Sequence, residues 1–346
     1  MQSNLAIFIH HLIKMMKKIL SISTLTLLLS LLSYQLNSNT LPLWGFYGHQ
    51  LINRVAVFTL PPPMLPFYKH HIQYITENAV NPDKRRYAIK EEAPRHYIDL
   101  DIYGDSALFK LPKYWFDAVE EYTEDTLNAY GIVPWHANFV CYQLTEAFKA
   151  RDKLKILQLS ADLGHYIADA NVPLHTTQNY NGQLSGQYGI HGFWESRLPE
   201  LYAADYDFFI GQATYIGDIQ LAIWDAVRQA NHALDSVFQF EKELSMKFRA
   251  DEKYSSELRG MVNTKVYSQD FSYAYHQKLS GQVERQMRNA VKMTGNLWYS
   301  CWVNAGQPVL NSLIHQENKD PALFRKQLQD STKWSIRNHE SGAESQ

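Results

Sequence analysis

Two histidine–carboxylate pairs stand close together in this chain: His165 with Asp169, then His191 with Glu195, each pair four residues apart. Four residues is little more than one helical turn, so within a helix both members project from the same side. Pro173 stops the first helix, and His175 behind it can fold back toward the first pair. Neutral imidazole and carboxylate are natural ligands of Zn²⁺, and helical pairs at this spacing are a common way to present them. One such pair alone reads more simply as a solvated salt link. The compound pattern, His-x3-Asp-x5-His and then His-x3-Glu, is expected by chance in roughly a few chains per thousand. Three further candidates lie upstream. His49 closes Trp44-Gly45-Phe46-Tyr47-Gly48-His49, Asp83 follows Asn81-Pro82, and His96 sits in Pro94-Arg95-His96-Tyr97-Ile98-Asp99. Taken singly, His49 is equally a structural core histidine, His96 a surface residue, and Asp83 a turn residue.

These groups need helices to position them, and the apolar periodicity supplies helices. Ile52, Val55, Ala56 and Leu60 form a stripe that Pro61-Pro62-Pro63 ends. Ile156, Leu159, Leu163, Ile167 and Ala170 step by three or four and predict a buried face opposite His165 and Asp169. Two longer series do the same: Ile219 to Val237, and Val283 through Met287, Ala290, Leu297 and Trp298 to Trp302. Pro112 and Pro134 fall where first turns of helices could begin. No alternating strand series and no fixed repeat is found. The expectation is an all-α, single-domain helical bundle over residues 44–314, with a targeting segment at 1–43 and a polar tail at 315–346. Lys14 to Lys18 followed by the apolar run Ile19 to Leu32 matches a secretory signal and predicts a secreted or periplasmic protein. An uncleaved membrane anchor is the alternative. The residues before Trp44, Leu41-Pro42-Leu43, lack the small side chains usual at a cleavage site.

Composition narrows the rest. With 346 residues and 45% hydrophobic content, the chain can bury a large core without disulfides. Lys and Arg total 33 against 35 Asp and Glu, a net charge of −2, so no bulk basic field holds nucleic acid by counterion release. Two cysteines, Cys141 and Cys301, exclude a CxxC zinc framework and allow at most one bridge.

Taken in order, WGxxxH, an isolated Asp, His in an xHxID context, GHxxxDxxxPLH and HxxxE form a specific set. On these motifs, from Trp44 to Glu195, the chain resembles the zinc-dependent phospholipase C superfamily, which also contains secreted single-strand-specific nucleases and 3′-nucleotidases. The resemblance implies an all-helical bundle with three Zn²⁺ ions in a cleft. It implies one zinc on Asp83, His96, His165 and Asp169, and a second on His175, His191 and Glu195. The third would take the backbone amine and carbonyl of Trp44 with His49 and Asp169, so that Asp169 bridges two ions. Glu195 matches the phospholipase C pattern, where the nucleases usually carry Asp.

Three such ions bring six positive charges against three ligand carboxylates, which suits an anionic phosphate ester. Zinc can lower the pKa of bound water to about 7, giving a nucleophile for in-line attack on phosphorus. Asp83 is the candidate general base or water orienter. Asp99 is a candidate partner for the His96 imidazole. Phe46, Tyr47, Tyr87, Tyr97, Tyr188, Phe193 and Trp194 are candidates to touch substrate, beneath a roof at Asn179 to Gly189. The Lys84-Arg85-Arg86 run is a solvated turn that could also hold a phosphate. The expected function is phospholipase C-like hydrolysis of a phosphodiester. A single-strand nuclease or 3′-nucleotidase is the alternative, and a non-catalytic, zinc-stabilised helical surface or binding protein is the second. Substrate is then a phospholipid or single-stranded nucleic acid, a transient membrane-surface contact is compatible with the first, and no stable protein partner is implied.

Overall fold

A computed structural model describes residues 45–259 and 262–315. The expected targeting segment at 1–43, Trp44 and the tail beyond His315 lie outside the described residues. The chain is mostly helical, with 69% helix against 4% strand, as the apolar periodicities require. Eight helices matter for the site: α1 (Phe46–Ala56), α2 (Ile72–Asn78), α3 (Asn81–Arg85), α4 (Val133–Ala150), α5 (Lys153–Ala170), α6 (Ile219–Ser245), α7 (Gln269–Leu279) and α8 (Gln282–Asn304). Among the described residues, no helix is long and apolar enough to cross a membrane.

α5 is the axis of the bundle. It starts at Asp152, whose carboxylate accepts the Lys155 N–H at 3.2 Å, an N-cap contributing about 1 kcal/mol. Every residue from Ser160 to Ala170 is buried. The predicted stripe explains only one side of this. The other, polar side is buried as well, because α5 packs on α1, α2, α4, α6 and α8 together. Hence Asp162, His165 and Asp169 are interior groups that must find partners inside the protein.

α1 buries Phe46, His49, Ile52, Asn53 and Ala56, a face repeating at three and four residues, and it stops short of the prolines after a single 3-10 turn, Val57–Thr59. It lies unusually close to α5. A Cβ on Gly164 would sit 1.8 Å from the Asn53 Oδ1, and Asn53 instead fills that notch, donating from Nδ2 to the Ala161 carbonyl at 2.9 Å. This approach stacks the rings of His49 and His165, with centroids 4.0 Å apart.

The loop carrying His96 is fixed from behind by the start of α4. Ile132 N–H donates to the Pro94 carbonyl at 2.7 Å, and Val133 N–H to the Tyr97 carbonyl at 3.1 Å. Gly131 makes this approach feasible: its φ is +94°, and a Cβ there would lie 2.2 Å from the Tyr97 oxygen. Pro134 occupies the first turn of α4 as expected, whereas Pro112 lies in a connection ahead of the helix Trp115–Tyr122.

A hairpin corrects the strand-free expectation: β1 (Tyr254–Arg259) pairs with β2 (Val262–Tyr267). The alternation is short and interrupted, Tyr254 and Leu258 by Ser256 and Val262 and Val266 by Thr264, so it did not announce the hairpin. Contacts group its tip, residues 258–264, apart from the unit holding all other described residues. Cys141 and Cys301 are buried, unbridged neighbours, with the Cys301 thiol donating to the Cys141 carbonyl at 3.3 Å.

Candidate metal centre

Three elements bring the four residues of a first group together. Asp83 comes from α3, His96 ends the 3-10 turn Lys90–His96, and His165 and Asp169 extend from the buried polar face of α5. His165 Nε2 lies 3.0 Å from His96 Nδ1, and Asp169 Oδ2 lies 2.9 Å from His96 Nδ1 and 3.2 Å from His165 Nε2. Asp83 Oδ1 stands 3.8 Å from each of those two nitrogens.

A second group forms where the chain folds back. His175, in the 3-10 turn Pro173–Thr176 that follows α5, places Nε2 2.9 Å from His191 Nε2. Glu195 Oε2 lies 3.2 Å from the first nitrogen and 2.6 Å from the second. The sequence pair His191/Glu195 spans a short helix, Ile190–Gly192, that widens into a π-helical turn, Phe193–Arg197. Such local widening is frequent at functional sites because it re-aims one side chain within a helix. Between the groups stands His49, with Nε2 3.5 Å from Asp169 Oδ1 and 3.3 Å from Glu195 Oε1.

These distances fit metal ions. A tetrahedral ion with bonds of about 2.0–2.1 Å separates its ligand atoms by roughly 3.3 Å, and the contacts above fall on either side of that value. Tautomers agree. His165 Nδ1 faces the Ala79 carbonyl at 2.9 Å and His175 Nδ1 faces the His96 carbonyl at 2.7 Å. A carbonyl can only accept, so both Nδ1 atoms carry a proton, and in the neutral ring each Nε2 presents a lone pair to the centre. Four overlapping sets of buried or half-buried His, Asp and Glu side chains could therefore hold metal ions.

The electrostatics say the same. Burial by itself would raise the pKa of Asp169, but His165 and His175 hold it well below the carboxylate range. Glu195, likewise opposed by burial, is held down by His191 and His175. Asp83 is lowered, against burial, by His165, His96 and His49. The imidazoles respond in two ways. Burial lowers His49, yet Glu195, Asp169 and Asp83 outweigh it and raise the ring to about 9. His175 is lifted to about 9 against burial by Asp169 and Glu195, whereas burial and the adjacent His49 lower His165. Three buried carboxylates demand positive charge, and protons on imidazole supply it wherever a metal does not.

Eight of the nine sequence candidates thus converge: His49, Asp83, His96, His165, Asp169, His175, His191 and Glu195. Trp44 lies outside the described residues. Other expectations change. The carboxylate facing His96 is Glu92, not Asp99. Glu92 is wholly buried, with Oε1 3.8 Å from His96 Nε2, an ion-pair distance longer than a hydrogen bond. It also accepts from Arg95 Nη1 at 2.8 Å, from Arg85 Nε at 3.3 Å and from the Tyr166 hydroxyl. Only its placement four residues before His96 pointed to it. Asp99 is half-buried, pushed up to about 7 by burial and Asp101 while His175 opposes them. Within the basic run, Arg85 is spent on Glu92, Asp162 and Tyr166, and Lys84 lies 5.8 Å above the Phe46 ring. Arg86 alone of the three reaches a candidate ligand, with Nη1 3.6 Å from Asp83 Oδ1. Phe46, Phe193 and Trp194 are buried in the core.

The loop between His175 and His191 is pinned. Asp101 accepts the Thr177 hydroxyl at 2.8 Å and the Gln178 N–H at 3.0 Å, Asn179 Oδ1 accepts the Leu184 N–H at 2.7 Å, and Gln187 Nε2 donates to the Phe238 carbonyl at 2.8 Å. This frame presents Tyr180, Leu184 and Tyr188 to solvent at 50%, 69% and 64% exposure, with the Tyr180 ring edge-on to His191 at 5.7 Å.

No protein-family model matches the chain, and no curated protein matches it. The functional reading rests on the side chains themselves.

Proposed function

We propose that this chain is a zinc-dependent hydrolase of phosphate esters, of the phospholipase C-like kind that its motifs resemble. The observation that carries the reading is the convergence of five imidazoles and three carboxylates at ligand spacing in one buried region. His96, His165, Asp169 and Asp83 would hold one ion, His175, His191 and Glu195 a second, and His49 with Asp169 a third. Zinc bound there supplies Lewis acidity and a water acidified to about pKa 7.

The chain's own residues do the remainder. Asp83 is the less enclosed carboxylate of the first group at 17% side-chain exposure, where it would orient a water and accept its proton. Arg86, 37% exposed beside it, is placed to hold a phosphoryl oxygen and the charge that develops there. Five neutral donors and only three acids leave a metal-loaded site cationic, which favours an anionic ester over a neutral amide. The ordered apolar rim of Tyr180, Leu184 and Tyr188 favours a phospholipid over nucleic acid, in keeping with a net charge of −2.

Hydrolysis of bis-p-nitrophenyl phosphate should disappear with chelator and return with zinc. Full zinc loading without turnover would establish instead a zinc-stabilised binding protein. Within the enzyme class, a phosphatidylcholine analogue should be cleaved faster than single-stranded DNA or 3′-AMP; the reverse order would assign a nuclease.

A further inference from the structure

We infer that Glu195 bridges two metal ions, and that the ion beside His49 is held by His49, Asp169 and Glu195 without needing a backbone amine at Trp44. This inference rests on the zinc reading above.

The two oxygens of Glu195 face different imidazoles. Oε2 serves His175 and His191 at 3.2 and 2.6 Å, while Oε1 turns the other way and stands 3.3 Å from His49 Nε2. Asp169 is divided in the same manner, with Oδ2 toward His96 and His165 and Oδ1 3.5 Å from His49 Nε2. His49 Nε2 is therefore approached by one oxygen from each of two carboxylates, and each of those carboxylates commits its other oxygen to a neighbouring group. The separations of 3.3 and 3.5 Å are those of ligands around one tetrahedral ion, for which roughly 3.3 Å is expected.

Length matters here. A glutamate carries one methylene more than an aspartate, about 1.5 Å of reach along a single bond. The π-helical turn sets Glu195 between His191 and His49, and that reach lets one carboxylate span both. An aspartate at this position would reach one side only. Gly45, at the N-cap of α1, lies alongside: a Cβ there would meet Ser196 Oγ at 3.6 Å and Glu195 Oε1 at 3.9 Å, so the backbone at the head of α1 passes within ordinary contact of the bridging oxygen. The sequence before Trp44 also lacks the small residues that would release its amine. A ligand set drawn wholly from side chains removes that requirement.

The test is zinc stoichiometry by inductively coupled plasma mass spectrometry, on protein stripped, reloaded and checked for helix content by circular dichroism. Chain that keeps the residues preceding Trp44 should bind three zinc ions. Glu195→Asp should bind two, His49→Ala two, and the double variant still two, because both changes remove the same ion. Three ions on Glu195→Asp, or one ion on the double variant, overturns the bridge. So does a chain that binds two ions until it is trimmed to begin at Trp44 and then binds three. Binding of no zinc by the unaltered chain is a different result, and it overturns the parent reading itself.

Discussion

Glu92→Gln separates support of a ligand from support of the fold. The carboxylate is fully buried, accepts from Arg95 at 2.8 Å and Arg85 at 3.3 Å, and faces His96 Nε2 across 3.8 Å. Glutamine keeps the volume and one acceptor but removes the charge. A unit pair at about 3.3 Å interacts by roughly 5 kcal/mol at an effective dielectric of about 20. Breaking one side of a buried pair costs about 3–5 kcal/mol once desolvation is counted. Both arginines are about a third exposed, and Arg85 retains Asp162 at 3.1 Å, so the lower end, about 3 kcal/mol of stability, is expected.

A second effect falls on the metal. With the anion behind it gone, His96 loses the field that keeps its proton on Nε2 and its lone pair on Nδ1, the atom facing Asp169 and His165. Outer partners of this kind change metal affinity by about 10–100-fold. Competitive zinc titration against a chromophoric chelator measures that loss, and thermal melting measures the first. Arg95→Ala is the control, since it weakens the ion pair while leaving the carboxylate behind His96. Both variants should melt earlier, but only Glu92→Gln should bind zinc more weakly. Equal zinc affinity in the two would refute the reasoning and leave Glu92 as an ion-pair partner alone.

Asp169→Asn should abolish hydrolysis and lose more than one zinc, because its two oxygens face separate imidazole sets; retention of three ions in an elemental analysis would exclude bridging. Gly164→Ala forces a Cβ to within 1.8 Å of Asn53 Oδ1 and should cost about 1–3 kcal/mol, read as a lower melting temperature; an unchanged value would mean that α1 and α5 do not approach so closely. The metal-free chain should lose stability as pH rises. His49 and His175 have folded values near 9 against 6.5 for the free side chain, so their stabilisation is complete below pH 6.5 and disappears through pH 9. Melting temperatures of metal-free protein that stay level across that window would contradict the assignment.

Residue type and spacing revealed the candidate ligands because a metal ion dictates both. One imidazole four residues from a carboxylate says little, but two such pairs with a histidine between them are rarely accidental, and proline after the first helix forces the turn that delivers His175. The supporting groups were less visible. Glu92 faces His96 from four residues upstream, but within a 3-10 turn containing Pro94 that interval is a weak guide, and Arg86 differs from Arg85 only in which way a five-residue helix happens to face. The hairpin escaped notice for a related reason: its apolar positions, Tyr254, Leu258, Val262 and Val266, are interrupted by Ser256 and Thr264, so the alternation is too short to stand out. Glu195 shows where the boundary runs. Its position marked it as a candidate ligand, but the bridging proposed for it depends on a π-helical turn and on the approach of α1 to α5, both of which are products of packing. A ligand must be a particular residue at a particular interval. A bridge or a supporting charge need only arrive at the right point in space, and the chain can bring it there from any direction.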